Sequence, residues 1–92
     1  MEIEFDPAKA AKTREERGLD FADAATVFAG HHFTIEDTRN DYGEPRFITV
    51  GFLAERMIVL VWTPRDGARR IISMRKANER EQAYYREYLD RP

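Results

Sequence analysis

Cysteine is absent from this 92-residue chain, which rules out a disulfide framework and any thiolate metal site. Long apolar runs are missing too. The run Met57–Trp62 stops far short of the roughly 20 residues that a membrane-spanning helix needs. No glycine-rich phosphate loop, nucleophile elbow or Cys/His cluster occurs, so nucleotide-loop, serine-hydrolase and zinc-site chemistry have no motif to stand on. The first residues, through Lys9, are acidic and lack the basic-then-apolar layout of a signal peptide, and a cytoplasmic protein is expected. There is no repeat, low-complexity segment or linker, and the length suits one domain over residues 1–92.

A strong charge of one sign is also lacking: the formal net charge is -2. That total hides an asymmetry. Residues 1–45 carry 5 Lys+Arg against 11 Asp+Glu, whereas residues 46–92 carry 10 against 6. The acidic total argues against indiscriminate nucleic-acid binding, while the basic second half permits a local anion site.

Local patterns divide the chain into elements. Glu2–Phe5 alternates polar and apolar residues and reads as a short edge strand. Asp6-Pro7 starts a helix, because the carboxylate accepts from orphan N–H groups and proline suits the first helical position. That helix runs to Arg17, and Gly18 ends it. Asp20 caps a second helix with Phe21, Ala24, Ala25 and Phe28 as its buried stripe and Gly30 at its end.

The period then changes to two. Phe33 and Ile35 mark a strand ending near Asp37, Thr38–Gly43 is a turn, and Arg46–Phe52 is the next strand. Met57–Trp62 is apolar throughout and is expected at the sheet centre. Pro64–Gly67 reads as a turn, Arg69–Met74 as the last strand, and Asn78–Leu89 as a closing helix. The order β-α-α-β-β-β-β-α, with short turns between consecutive strands, predicts an α+β domain: an antiparallel sheet with helices packed on it.

The richest segment is 69–85, where Ile71 and Ile72 are bracketed by Arg69, Arg70 and Arg75, ahead of a helix bearing Tyr84 and Tyr85. Guanidinium groups offer a planar fork of donors and a permanent charge, which suits phosphate and makes RNA the first substrate class to consider. Ion pairs at strand ends are the plainer reading of the same residues.

Five stretches in order carry a family resemblance: Phe5-Asp6-Pro7-Ala8-Lys9; Phe21, Ala24, Val27 and Phe28; Gly43-Glu44 with Arg46; Arg70–Ser73 with Arg75 and Ala77; and Glu-Arg ahead of tyrosine in the last helix. Together they resemble the BrnT family of type II toxins, ribonucleases related in fold to the RelE toxins. Where family members often carry Lys-His-Gly or Arg-His-Gly, this chain has Glu16-Arg17-Gly18, so no role of that histidine carries over.

The resemblance implies a metal-independent endoribonuclease that needs no cofactor and blocks translation. It further implies neutralisation by a BrnA-type ribbon-helix-helix antitoxin, with operator DNA bound only through that antitoxin, and a heterotetramer of two toxins with two antitoxins. An interaction module of the same fold, with little or no catalytic power, is the alternative, and an RNA-binding fold without chemistry is a third.

Metal-free RNA cleavage needs the 2′-OH deprotonated, the leaving oxygen protonated and the extra charge on phosphorus stabilised. Arg46, Arg70 and Arg75 are the candidate charge stabilisers, with Arg69, Lys76 and Tyr84 as further substrate contacts. In an unbroken strand Arg70 and Arg75 point to opposite faces, so they share a site only if the chain bends or twists after Ser73. Glu81 either pairs with a sheet arginine or accepts a proton. Glu44 is either a base or a turn carboxylate, and Tyr84 either stacks on a base or joins the core. His31-His32 has no third ligand at metal spacing and points apart in extended chain. The general base is left open.

Overall fold

The computed structural model describes residues 2–91. Its elements are β1 (Glu2–Phe5), α1 (Pro7–Arg17), a 3-10 turn (Phe21–Asp23) leading into α2 (Ala24–Ala29), β2 (Phe33–Glu36), β3 (Phe47–Leu53), β4 (Arg56–Arg65), β5 (Ala68–Lys76) and α3 (Glu79–Leu89). The expected α+β order is therefore present. The strands form one sheet in the order β1-β5-β4-β3-β2, with the apolar β4 in the middle.

Strands β2 to β5 pair antiparallel, the direction that the two-residue turns after β3 and β4 impose and that the longer β2–β3 connection also takes. β1 instead lies parallel to β5, matching Glu2 with Ala68 and Phe5 with Ile71. The antiparallel expectation rested on short turns, and the link from β1 to β5 contains most of the domain, so nothing local fixed its direction.

Capping residues set the helix ends. The Asp6 carboxylate accepts from the Ala8 N–H at 3.0 Å, and Gly18 (φ +68°) donates its N–H to the Arg14 carbonyl at 2.9 Å. Asp20 caps the 3-10 turn by accepting from the Ala22 N–H. Because this segment opens as a 3-10 turn, its buried positions are Phe21, Ala24 and Val27, while Ala25 is exposed, contrary to the stripe expected for a regular helix.

β4 also runs further than expected, continuing through Pro64 to Arg65. Its last pair with β3 is Trp62 with Phe47, so Pro64 sits where β4 is locally an edge and proline is tolerated. The reversal is the two-residue turn Asp66-Gly67, both at positive φ (52° and 80°), as a tight hairpin demands.

Two layers cover the sheet. On one face Ile58, Leu60, Trp62, Ile71 and Met74 pack with Leu19, Phe21, Ala24 and Val27 of the helical arm. α2 sits so close that a Cβ on Gly51 would come within 2.8 Å of the Val27 Cγ1 atom. The Trp62 Nε1–H donates to Thr49 Oγ1 at 2.8 Å, satisfying the one polar atom of that ring. On the other face Val50, Met57 and Val59 pack with Ala77 and Leu89 at the α3 end. His31 Nε2 bonds the Leu89 carbonyl and ties the end of α3 to the end of α2. α1, by contrast, buries none of its side chains.

Candidate functional site

A single irregularity in β5 decides where the arginines go. Val61 pairs with Ser73 and Trp62 pairs with Ile71, so Ile72 is the extra residue of a β-bulge. Paired residues share a face, and Thr63 and Val59, both on one side of β4, pair with Arg70 and Arg75. The bulge therefore brings Arg70 and Arg75 onto the same face, the one that carries α3. The irregularity that lets them share a face lies at Ile72, ahead of Ser73, and not after Ser73 as expected.

Arg46 joins them from just ahead of β3. It precedes Phe47, which pairs with Trp62 on the opposite face, so alternation directs Arg46 to the side of Arg70 and Arg75. Its carbonyl accepts from the Asp37 N–H at 2.8 Å, and its guanidinium lies over the Tyr42 ring, 4.0 Å from the centroid. Between these arginines Val61 and Ser73 stay half-buried and belong to neither hydrophobic cluster. The result is a sheet surface floored by small and apolar side chains and edged by cations.

Carboxylates hold these arginines to different degrees. Arg75 makes a two-pronged pair with Glu81, Nη1 to Oε1 at 2.6 Å and Nη2 to Oε2 at 2.7 Å. Glu81 also accepts from the Asn78 N–H at 3.0 Å, while its own N–H donates to the Asn78 side chain, completing the capping box of α3. The Arg75 bond first, with the Asn78 N–H adding to it and burial opposing, pulls the Glu81 carboxyl down to about 2. Such an acid is a feeble proton acceptor near neutrality. Glu81 positions Arg75.

Arg70 makes one contact, Nη1 to Glu4 Oε1 at 2.8 Å across the β1–β5 pairing. Glu44 lies at the rim, its Oε1 3.4 Å from Arg65 Nη2 and its Oε2 4.0 Å from Arg46 Nε. The second distance is beyond hydrogen bonding, and Arg46 Nε is buried with no partner among the described residues.

The structure adds an arginine that sequence reasoning missed. Arg39, in the connection from β2 to β3, is gripped by Asp37 at 2.8 and 2.9 Å, and the Tyr42 hydroxyl donates to the same carboxylate at 3.1 Å. Only 2% of the Asp37 side chain is exposed, and the Arg39 bond holds its carboxyl far below the usual range. Arg39 is close enough to Arg75 for their like charges to oppose. The signal was an Asp-x-Arg pair inside a run otherwise typical of a turn.

Other candidates fall elsewhere. Arg69 pairs with Pro64 on the opposite face, where its guanidinium covers the Phe28 ring at 3.9 Å and approaches Trp62. Lys76 pairs with Ile58 on that face too. Tyr84 is exposed on α3 at the margin of the arginine face, its hydroxyl 3.0 Å from that of Tyr88. His32 bonds the Gly30 carbonyl and His31 the end of α3, and among the described residues no three His, Cys, Asp or Glu side chains gather as metal ligands would.

Fixed guanidinium groups on a solvent-open sheet can bind a phosphodiester and stabilise charge that builds on it. A family model described as "Ribonuclease toxin, BrnT, of type II toxin-antitoxin system" matches residues 5–81, which include Arg46, Arg70, Arg75 and Glu81. No curated protein matches the chain.

Proposed function

The chain belongs to the BrnT family, the ribonuclease toxins of type II toxin–antitoxin systems, and from that premise we propose that its arginine face cleaves RNA without a metal ion. The ribose 2′-oxygen attacks the adjacent phosphorus while the bond to the 5′-oxygen breaks. The products are a 2′,3′-cyclic phosphate and a free 5′-hydroxyl. Arg70 and Arg75 bind the non-bridging oxygens and stabilise the charge they gain, and the Arg46 guanidinium beside them adds positive charge. Losing one preorganised donor of this kind costs roughly 3–4 kcal/mol of barrier.

Arginine keeps its proton, so proton transfer falls to other groups. Glu44 takes the base's place on this reading: it stands at the rim beside Arg46, held only by a long contact to Arg65. Glu81 keeps Arg75 aimed at the phosphate. The observation that carries the proposal is the Ile72 bulge, which sets two arginines of one strand on one face beside a third.

The partner we propose is a ribbon-helix-helix antitoxin of the BrnA kind, assembling as two toxins with two antitoxins and binding operator DNA through the antitoxin alone. Induced expression in bacteria tests the active site. Growth arrest with loss of RNA, relieved by Arg70→Ala or Arg75→Ala, is the expected result, and arrest that survives both substitutions removes the assignment. Cleavage by the purified chain in excess chelator tests metal independence. Absence of arrest with tight antitoxin binding would instead favour a pure interaction module. The carboxylate partners on Arg70 and Arg75 are the feature that favours this second reading.

A further inference from the structure

Beyond Arg75 the same face opens into a groove of about 270 Å³ between β2 and α3. Its apolar lining is Ile35 and Ile48, one wall is Tyr84 with Tyr85, and Arg39 stands at the opposite side. The two large hydrophobic side chains most exposed among the described residues are Ile35 (44%) and Tyr84 (57%), and both line this one groove. Two apolar groups left open to water side by side mark a place where something binds.

The groove is also stiff. Tyr84 meets Tyr85 edge-on at 5.4 Å and Tyr88 at 5.3 Å, its hydroxyl is tied to that of Tyr88, and Tyr88 stacks on Phe33 of β2 at 5.4 Å. Arg39 is fixed across the way by its two bonds to the buried Asp37. A flat aromatic surface and a flat guanidinium, each braced from behind, suit a flat aromatic ligand.

We infer that this groove is a nucleobase subsite: it takes one unpaired base of the RNA whose phosphate lies on the arginine face. The inference rests on the ribonuclease reading and deepens it. Ile48 of the groove pairs with Val61, which lies between the β4 partners of Arg75 and Arg70, so the groove borders the arginine face. Aromatic and guanidinium planes are the common means of holding splayed bases, and a base inside a duplex cannot present its face to them. The groove thus restricts the enzyme to single-stranded RNA.

The test is equilibrium binding of a fluorescent, fully 2′-O-methylated oligonucleotide, which cannot be cleaved, to the full chain. Tyr84→Ala should weaken binding about tenfold, within the range typical of one stacked base, and Tyr84→Phe should bind as the parent does. Replacing the oligonucleotide by its duplex should erase the difference between Tyr84→Ala and the parent. Thermal melting of Tyr84→Ala, altered at an exposed position, checks that the fold is intact. Equal affinities of Tyr84→Ala and the parent for the single strand would overturn the subsite. So would a Tyr84→Ala effect confined to antitoxin binding, which would make the groove a protein contact. The arginine face fails separately, if Arg70→Ala and Arg75→Ala leave binding unchanged or the parent binds no RNA.

Discussion

Replacing Glu81 by glutamine isolates one charge at the junction of sheet and helix. Glutamine can still accept from the Asn78 N–H, so the capping box survives while the ion pair to Arg75 is lost. The folded carboxyl titrates at about 2 instead of the ordinary 4.5. Taken at face value, that shift is worth about 3 kcal/mol. Arg75 is 42% exposed, however, and solvent screens such a pair, so about 1–2 kcal/mol is expected.

The pH dependence gives the sign. A carboxyl whose folded pKa is depressed binds protons more readily when unfolded, so its stabilisation is complete above about 4.5 and fades as pH falls towards 2. Urea unfolding should show the parent more stable than Glu81→Gln by about 1–2 kcal/mol at pH 7, roughly a 1 M change in midpoint for a domain of this size. The gap should narrow steadily from pH 5 to pH 3. A gap of constant size across that range would refute the electrostatic account, and no gap at pH 7 would show the pair to be energetically idle.

Three further outcomes follow from the same geometry. Deleting Ile72 removes the bulge but leaves Arg70 opposite Thr63 and Arg75 opposite Val59 on one face, so induced expression should still arrest growth. Lost arrest in a variant that circular dichroism shows folded would refute the claim that facing alone makes the site. Gly51→Ala drives a methyl into Val27 and should destabilise by about 1–3 kcal/mol, read as a lower melting temperature; an unchanged melt would mean that α2 can lift without cost. Glu4→Gln frees Arg70, so RNA affinity should rise a few-fold with a steeper dependence on salt, and weaker binding would assign Glu4 a direct role in holding RNA.

Much of the fold was legible because its signals are local. Asp6-Pro7 and Gly18 bracket α1, Asp66-Gly67 turns β4 into β5, and the unbroken apolar run of β4 marks the sheet centre. The site was legible only in part. Its arginines stand out by type, yet their facing depends on how Ser73 registers with Val61, and no glycine or proline flags the bulge at Ile72. Arg69 looks identical to Arg70 in sequence, but it serves as a lid on Phe28 and Trp62 because alternation sends it the other way. Arg39 was hidden for the opposite reason: its neighbours are turn formers, and only the folded loop buries Asp37 against it.

If the arginine face is to bind RNA, an acidic chain needs a way to keep its cations available, and the partners of these arginines fall into two groups. Asp37 and Glu81 each hold several bonds, including backbone N–H groups, so displacing them would leave other donors unpaired. These pairs fix Arg39 and Arg75 in direction. Glu4 and Glu44 hold one side-chain hydrogen bond each, to exposed or half-exposed arginines, and can be exchanged for phosphate with little left unpaired. On this reading the loose carboxylates occupy the positions that phosphate oxygens would take. A polyanion that meets only one arginine gains little over the carboxylate it displaces. A strand that engages Arg46 and Arg70 together, with a base seated beside Arg39 and Tyr84, displaces Glu4 from Arg70, meets the charge of Arg46 and adds a stacking contact. Selectivity for single-stranded RNA then comes from geometry, and the net negative charge works against every less complete fit.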